Sequence, residues 1–339
     1  MNRRQIITNI KRWGRFALEA APVLAMLNRR SHPVAWLAAV AHLADKAGRL
    51  SDKPAVASPS VWSFLTWEQV CGIIGLMVDL GIGEVVEVRP NGMVLRRVGG
   101  IIFGRQGDEF WGPTYDRDVD PQKAIDAIWE RANALTISSQ HRGKVSIQAD
   151  GYRQAHSPSK RVEAIAADCA ALRAAGKRVG VLLDGPPGSG KSQAMLHIAA
   201  ACGGRVLRAS MHQTNAPDFA AMALVLRPHV VIFDDIDRGP TETLLDAIDL
   251  LLPVGVAILA SSNAQDTICA AALREGRIDD HHRLDAIEPD VLARLADRID
   301  DDERDLLAQR TVAAVMRYLE VKDTLGRERA LRLLQKEVR

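Results

Sequence analysis

One stretch constrains this chain more than any other: Gly185-Pro186-Pro187-Gly188-Ser189-Gly190-Lys191-Ser192, which reads G-x-x-x-x-G-K-S. Before it runs Arg178-Val179-Gly180-Val181-Leu182-Leu183-Asp184, an apolar run bounded by turn residues that suits a buried parallel strand. After it, residues 193–201 are rich in helix formers. Strand, glycine loop and helix form the context in which this pattern is a phosphate-binding P-loop. The glycines let backbone N–H groups face phosphates, and the helix N-terminus adds the positive end of its dipole. In that geometry Lys191 reaches the β- and γ-phosphates of ATP, and the Ser192 hydroxyl ligates Mg²⁺.

The remainder of the chain is read around that loop. At 339 residues it has room for two or three domains. It is 47% hydrophobic and 25% charged, the balance of an ordinary soluble globular protein. A net charge of +2 gives no bulk attraction to nucleic acid, which makes nucleic acid an unfavoured partner. Charge is nonetheless uneven, because residues 1–60 hold ten Lys and Arg against three Asp and Glu. All six Trp fall at or before Trp129, so the two halves differ in kind. Cys71, Cys169, Cys202 and Cys269 lack C-x-x-C spacing and read as buried free thiols in a reducing, cytoplasmic compartment. His281-His282 lacks ligand partners at metal-binding spacing.

Residues 1–50 form a helical N-terminal segment. Ile6, Ile10, Trp13, Ala17, Ala20, Leu24 and Leu27 make one stripe of a helix over 3–27, with Arg3, Arg4, Lys11, Arg12 and Arg15 in its first half. A second apolar helix spans 34–43. Neither reaches the ~18 apolar residues that cross a bilayer, and no signal-peptide cleavage site follows. Three readings stay open: a hairpin packed on the protein itself, a partner-binding helix pair, or contact with a membrane surface. A linker over 51–60 leads to a small α+β domain, 62–150. There the sequence predicts a helix from Thr66 to about Leu80, a hairpin of 85–89 and 93–98 around Pro90-Asn91-Gly92, and a strand over 101–104. It also predicts helix over 121–136 and strand over 144–149.

From Gly151 the texture turns to Ala, Arg and Leu, and Ser159 caps a helix running to about Ala175. Val230-Val231-Ile232-Phe233-Asp234-Asp235 is a buried strand ending in two acids, the Walker B pattern. Asp234 is placed to hold Mg²⁺ through water and Asp235 to polarise the attacking water. A third apolar strand, 256–263, ends in the amide of Asn263. Residues 286–339 read as helical, over 291–299, 303–319 and 327 to about 336.

These residues together resemble the AAA family of P-loop ATPases over about 160–335. Gly185–Ser192 is similar to its Walker A, and Asp234-Asp235-Ile236-Asp237 to its D-[DE]-I-D. Asn263 falls where the family keeps its sensor-1 residue. Arg274 and Arg277 match the two arginines of its L-x-R-P-G-R-x-D segment, with Glu275 in place of proline. The resemblance implies an α/β P-loop NTPase core over 151–285, a parallel sheet with helices on both faces, and a helical lid over 286–339. It also implies arginine fingers acting on a neighbour's γ-phosphate, hence a homo-oligomeric ring of six or seven subunits. As bare residues, the arginines also read as a surface pair or as salt-bridge partners. The layout is similar to the mitochondrial AAA chaperone subgroup that translocates the folded Rieske protein. Three functions follow: a ring that remodels or translocates a protein client, a nucleic-acid-directed loader or transposition accessory, and a slow ATP-binding switch.

Overall fold

The computed structural model describes residues 65–90, 92–106, 109–115, 120–139, 145–150, 157–210, 216–238, 241–263, 273 and 277–336. The N-terminal helices, the 51–60 linker and Arg274 lie outside the described residues. In chain order the elements are α1 (Trp67–Asp79), β1 (Glu84–Val88), β2 (Val94–Val98), β3 (Ile101–Gln106), β4 (Glu109–Tyr115), α2 (Pro121–Arg131), β5 (Ala134–Ser139) and β6 (Val145–Ala149). Then come α3 (Lys160–Ala174), β7 (Gly180–Asp184), α4 (Lys191–Ala201), β8 (Val206–Ser210), α5 (Ala216–Leu226), β9 (Val230–Asp234), α6 (Thr241–Leu251), β10 (Ala257–Ser262) and β11 (Asp280–Arg283). The chain closes with α7 (Pro289–Arg294), α8 (Asp301–Leu307), α9 (Val312–Leu325) and α10 (Arg327–Lys336). No described helix is long and apolar enough to cross a membrane.

The described residues form two units. The first draws on the spans Met1–Gly151, Leu207–Pro228 and Glu242–Val256. Its helix α1 starts where Thr66 accepts the Gln69 N–H and Gln69 reaches back to the Thr66 N–H, a capping box. Strands β1 to β4 form an antiparallel meander, and β5 pairs antiparallel with β6. The buried Trp129 of α2 donates its indole N–H to the Leu226 carbonyl of α5 at 2.6 Å, which meets the polar need of a buried Trp.

Two expectations in this unit change. Residues 121–136 are not one helix: α2 stops at Arg131, Ala132 turns to an extended backbone (φ −138°), and 134–139 is strand. Ala134 and Leu135 suit either state by composition, and pairing with β6 decides. Strand β3 continues to Gln106, and β4 beside it carries Gly112-Pro113, a pair that reads as a turn in sequence.

The second unit draws on Tyr152–Val206, His229–Thr241 and Ala257–Arg339. Its strands run in the order β11-β7-β10-β9, all parallel. Strands β7 and β10 are buried at every residue, which is why they read as unbroken apolar runs. Helix α3 begins at Ser159, whose hydroxyl accepts the Val162 N–H at 3.2 Å. Helix α4 packs on β7, β9 and β10.

The lid, α7 to α10, has its own core, with Leu292, Ile299, Leu307, Val315, Tyr318, Leu319, Ala330 and Leu334. The expected helix over 303–319 is two helices. It breaks after Leu307, and Thr311 starts α9 by accepting the Ala314 N–H. In the first turn of α8 lies the buried carboxylate of Glu303, which accepts from Arg327 Nε at 2.6 Å, Lys322 Nζ at 2.8 Å and the Asp300 N–H at 3.1 Å. Burial pushes its carboxyl up, but the hydrogen bonds from Lys322, Arg327 and their neighbours outweigh it and hold it at about 2.

A carboxyl held below its unfolded value stabilises the fold above that value and loses the effect as pH falls through the folded one. The lid's stability should therefore decline from about pH 4.5 towards about pH 2. Glu303→Gln should cost roughly 2 kcal/mol near neutral pH and flatten that acid limb. Denaturant titrations of both proteins across that range measure it.

Candidate nucleotide site

The site grows from the C-terminal ends of three adjacent parallel strands. β7 delivers the chain to Gly185, whose φ of +144° brings the backbone so near Leu284 that an added Cβ would stand 2.0 Å from its carbonyl oxygen. No side chain fits there. Gly190, at φ +95°, is the N-cap of α4, and its left-handed conformation turns the loop into the helix so that Lys191 is the first helical residue. Pro186, Pro187, Gly188 and Ser189 form the intervening turn, closed by the Ser189 N–H on the Pro186 carbonyl at 3.3 Å. Ser192 follows Lys191 on the first turn of α4, exposed.

Lys191 is folded back into its own loop. Its ammonium donates to the Gly185 carbonyl at 2.7 Å and the Pro186 carbonyl at 2.9 Å. Burial lowers its pKa, and the carboxylates of Asp235, Asp237 and Asp184 pull it back up. A buried cation resting on neutral carbonyls is poised to exchange them for charged oxygens, which give the stronger bonds.

Asp234 ends β9, and register puts Ser261 of β10 beside it: Ala260 pairs with Phe233, so Ser261 falls level with Asp234. The Ser261 hydroxyl takes the Asp235 N–H at 3.1 Å and lies 3.5 Å from Asp234 Oδ1. Asp235 has φ +52°, a left-handed backbone that costs a non-glycine residue on the order of 1 kcal/mol. The Asn263 amide donates to Asp235 Oδ1 at 2.7 Å, and the Asn263 N–H donates to Asp237 Oδ1 at 3.0 Å. The P-loop, Asp234, Asp235 and Asn263 are thus brought together at the C-terminal ends of these strands. The Ser192 hydroxyl and the Asp234 carboxylate are hard oxygen donors, a set that suits Mg²⁺ completed by phosphates and water.

Arg277 is set elsewhere. Its carbonyl adjoins Gly180, the first residue of β7, about 13 Å of strand from the Asp184 end where the loop begins. It precedes β11, the edge strand of this sheet.

Residues 181–286 match the family model described as ATPase family associated with various cellular activities (AAA). Over that stretch the chain is similar to AAA domains. No curated protein matches the chain. The match begins in β7 and ends just after β11, so the strands of the site, β7, β9 and β10, and the neighbouring β11 lie within the matched stretch or at its boundary. Its fold is an α/β P-loop NTPase fold, a parallel sheet flanked by helices.

Three features of the AAA domain and its surroundings escape the sequence. The first is a cavity of about 240 Å³ beside Ser189 and Gly190, walled by Ser157–Ser159, Val162 and Ala194 and by the lid's Val291, Leu295, Val312 and Met316. In α7, Leu292 is buried in the lid core, while Val291 and Leu295 pack against that core and also line the cavity. The second is His281, whose Nε2 lies 2.6 Å from the buried carboxylate of Asp184, with Arg283 at 4.0 Å. That histidine closes a buried acid directly before the P-loop. The third is the pair of hydrogen bonds made by Ser261 and Asp237, which depend on strand register; Asp237 falls in the D-[DE]-I-D match, but its bond to the Asn263 N–H carries no sequence signal.

Lys191→Ala should abolish ATP binding while leaving the fold intact, because it removes the site's buried cation and leaves the carboxylates uncompensated. Titration with a fluorescent ATP analogue, with thermal unfolding as the control, checks this; unchanged affinity would exclude a phosphate role for the loop.

Proposed function

We propose that this protein hydrolyses ATP as a ring-forming AAA-type ATPase and uses the cycle to remodel or translocate a protein client. The observation that carries the reading is the convergence of Lys191, Asp234, Asp235 and Asn263 at the C-terminal strand ends, with a largely apolar cavity beside the P-loop. Base and ribose enter the cavity, and the phosphates run along the loop to the N-terminus of α4. Lys191 leaves the Gly185 and Pro186 carbonyls for the β- and γ-phosphates. Ser192 would ligate Mg²⁺ and Asp234 would hold it through water, and the bound ion would supply charge neutralisation on the phosphates. Asp235 accepts the proton of a water that attacks the γ-phosphorus, the bond to the β,γ-bridging oxygen breaks, and ADP and phosphate leave. Asn263 holds the Asp235 carboxylate in place and lies close to the γ-phosphate.

A cation is still needed where charge develops on the transferring group. Arg277 stands at the far end of β7 from its own loop, at the sheet edge, and so serves a neighbouring subunit. Arg274 is assigned to the same role on the family resemblance. This use in trans supports a closed ring of six or seven copies, and the layout supports a protein-translocating chaperone like the mitochondrial Rieske translocase. Residues 1–50 then meet the client or a membrane surface. The slow-switch reading draws on one observation: Asp235 is a short acid on a left-handed backbone, its carboxylate held by the Asn263 amide.

Asp235→Asn should keep ATP and Mg²⁺ affinity and lose turnover, since only proton acceptance is removed. Arg277→Ala should bind ATP normally and turn over on the order of 10³-fold more slowly. Mixing it with Lys191→Ala protein should restore part of the rate, because each Lys191→Ala subunit still offers an intact finger. Phosphate-release assays across protein concentration, with light scattering, test the set. A rate independent of concentration, monomers only and no rescue on mixing would sink the ring.

A further inference from the structure

Asn263 is gripped from two sides by the turn that carries Asp235. Its side-chain amide donates to Asp235 Oδ1 at 2.7 Å, and its backbone N–H donates to Asp237 Oδ1 at 3.0 Å. Asp237 lies in the single 3-10 turn Ile236–Arg238 directly after Asp235, and Asn263 is the first residue beyond β10. One short turn therefore supplies both the carboxylate to be aimed and the carboxylate that anchors the residue aiming it. The Asp235 backbone is left-handed, a conformation that persists where surrounding contacts over-determine it. The Ser261 hydroxyl on the Asp235 N–H supplies one such contact from the same strand end.

We propose that Asp237 is a positioning residue of the hydrolytic site: its carboxylate fixes the main chain of Asn263 so that the Asn263 amide holds Asp235 in line with the attacking water. This rests on the reading of Asp235 as the proton acceptor. Asp237 works through Asn263 and touches neither the nucleotide nor the water. An anchored backbone leaves the Asn263 side chain two torsions to settle, and its bond to Asp235 settles them. Unanchored, the strand end drifts, and a misplacement of about 1 Å in such a group costs about 100-fold in rate. Asp237 also contributes to the negative field that Lys191 feels, so its charge and its hydrogen bond must be separated.

Asp237→Asn separates them, because an amide oxygen accepts the same N–H while the charge is gone. The experiment measures steady-state ATPase, fluorescent-ATP affinity and thermal unfolding for the full-length wild type, Asp237→Ala and Asp237→Asn. Asp237→Ala is expected to lower kcat by about 10- to 100-fold with KM and affinity unchanged. Asp237→Asn is expected to recover most of kcat. If the alanine protein does not fold, Asp237→Ser, too short to reach the Asn263 N–H, takes its place. Wild-type kcat in the alanine or serine protein overturns the proposal alone. An asparagine variant as slow as alanine, with ATP still bound, also overturns it, because charge and not the hydrogen bond would then be at work. A wild type that binds ATP without turnover removes the hydrolytic reading and this proposal together.

Discussion

The register of β10 between β7 and β9 is the constraint on which the site depends. Ser262 pairs with Asp184 and Ala260 with both Leu182 and Phe233, so Ser261 falls level with Asp234 and Asn263 just beyond. A slip of one residue would turn Ser261 away from the two acids and bring Ala260 or Ser262 to its level, because successive side chains on a strand point to opposite faces. The register is strongly specified because the strands are buried on both faces and a slip would misplace every core side chain at once. The hydrophobic effect thus sets the position of a hydroxyl and an amide that contribute nothing to the core. The same ends bring β7 to Gly185, where close approach to Leu284 rules out any side chain.

This division explains what could be read in advance. The P-loop, the β9 acids and the β10 amide are legible because a buried parallel strand is an apolar run and its polar residue marks the end that faces the site. Helix α3 is legible from Ser159 at one end and Gly176 at the other. Strand β11 is not: Asp280-His281-His282-Arg283 contains no apolar residue and is a strand because β7 offers it an edge and Asp184 offers it a carboxylate. β5 was hidden for a related reason, since only its partner β6 distinguishes it from a continuation of α2. The break between α8 and α9 turns on Thr311, a cap within an otherwise continuous helical pattern. In the site, contacts made to the backbone, by Ser261 on the Asp235 N–H and by Asp237 on the Asn263 N–H, had no sequence signal even where the residue itself lay in a motif, while residues that act through their own chemistry were legible.

The site's charges are balanced by geometry that a phosphate chain would replace. Lys191 rests on two loop carbonyls, and Asp184, Asp235 and Asp237 gather within range of it. Each carbonyl contact is donated by a charged ammonium and is worth about 1.5–3 kcal/mol net, whereas the same cation on a phosphate oxygen, with both partners charged in a water-poor site, is bound more strongly. The exchange therefore favours the phosphates. The strain in Asp235 is maintained by contacts from β10, which is rigid, and it remains when the loop fills. That arrangement separates binding, carried by the loop and α4, from turnover, carried by the β9–β10 ends.

The lid connects the two. The Ala313 N–H at the start of α9 donates to the P-loop carbonyl of Gly188 at 2.9 Å, and the Ile287 N–H holds the Arg310 carbonyl at 2.7 Å. Arg294 donates to the carbonyls of Ser157 and Pro158 at 3.1 and 2.8 Å, and Arg161 meets Glu288 at 3.2 Å across the same seam. The exposed ion pair is worth about 0–1 kcal/mol and each neutral bond about 1 kcal/mol, so the seam is held by a few kcal/mol in all. A nucleotide bound at micromolar affinity brings about 8 kcal/mol. It would lie in a cavity with the loop on one wall and Val291, Leu295, Val312 and Met316 on the other. A ligand shifts a conformational equilibrium only by its differential contact with the two states, and here the wall formed by the lid is that differential contact. Because Gly188 is bonded directly to α9, a change in the loop when Lys191 moves to the phosphates is felt at the first turn of the lid.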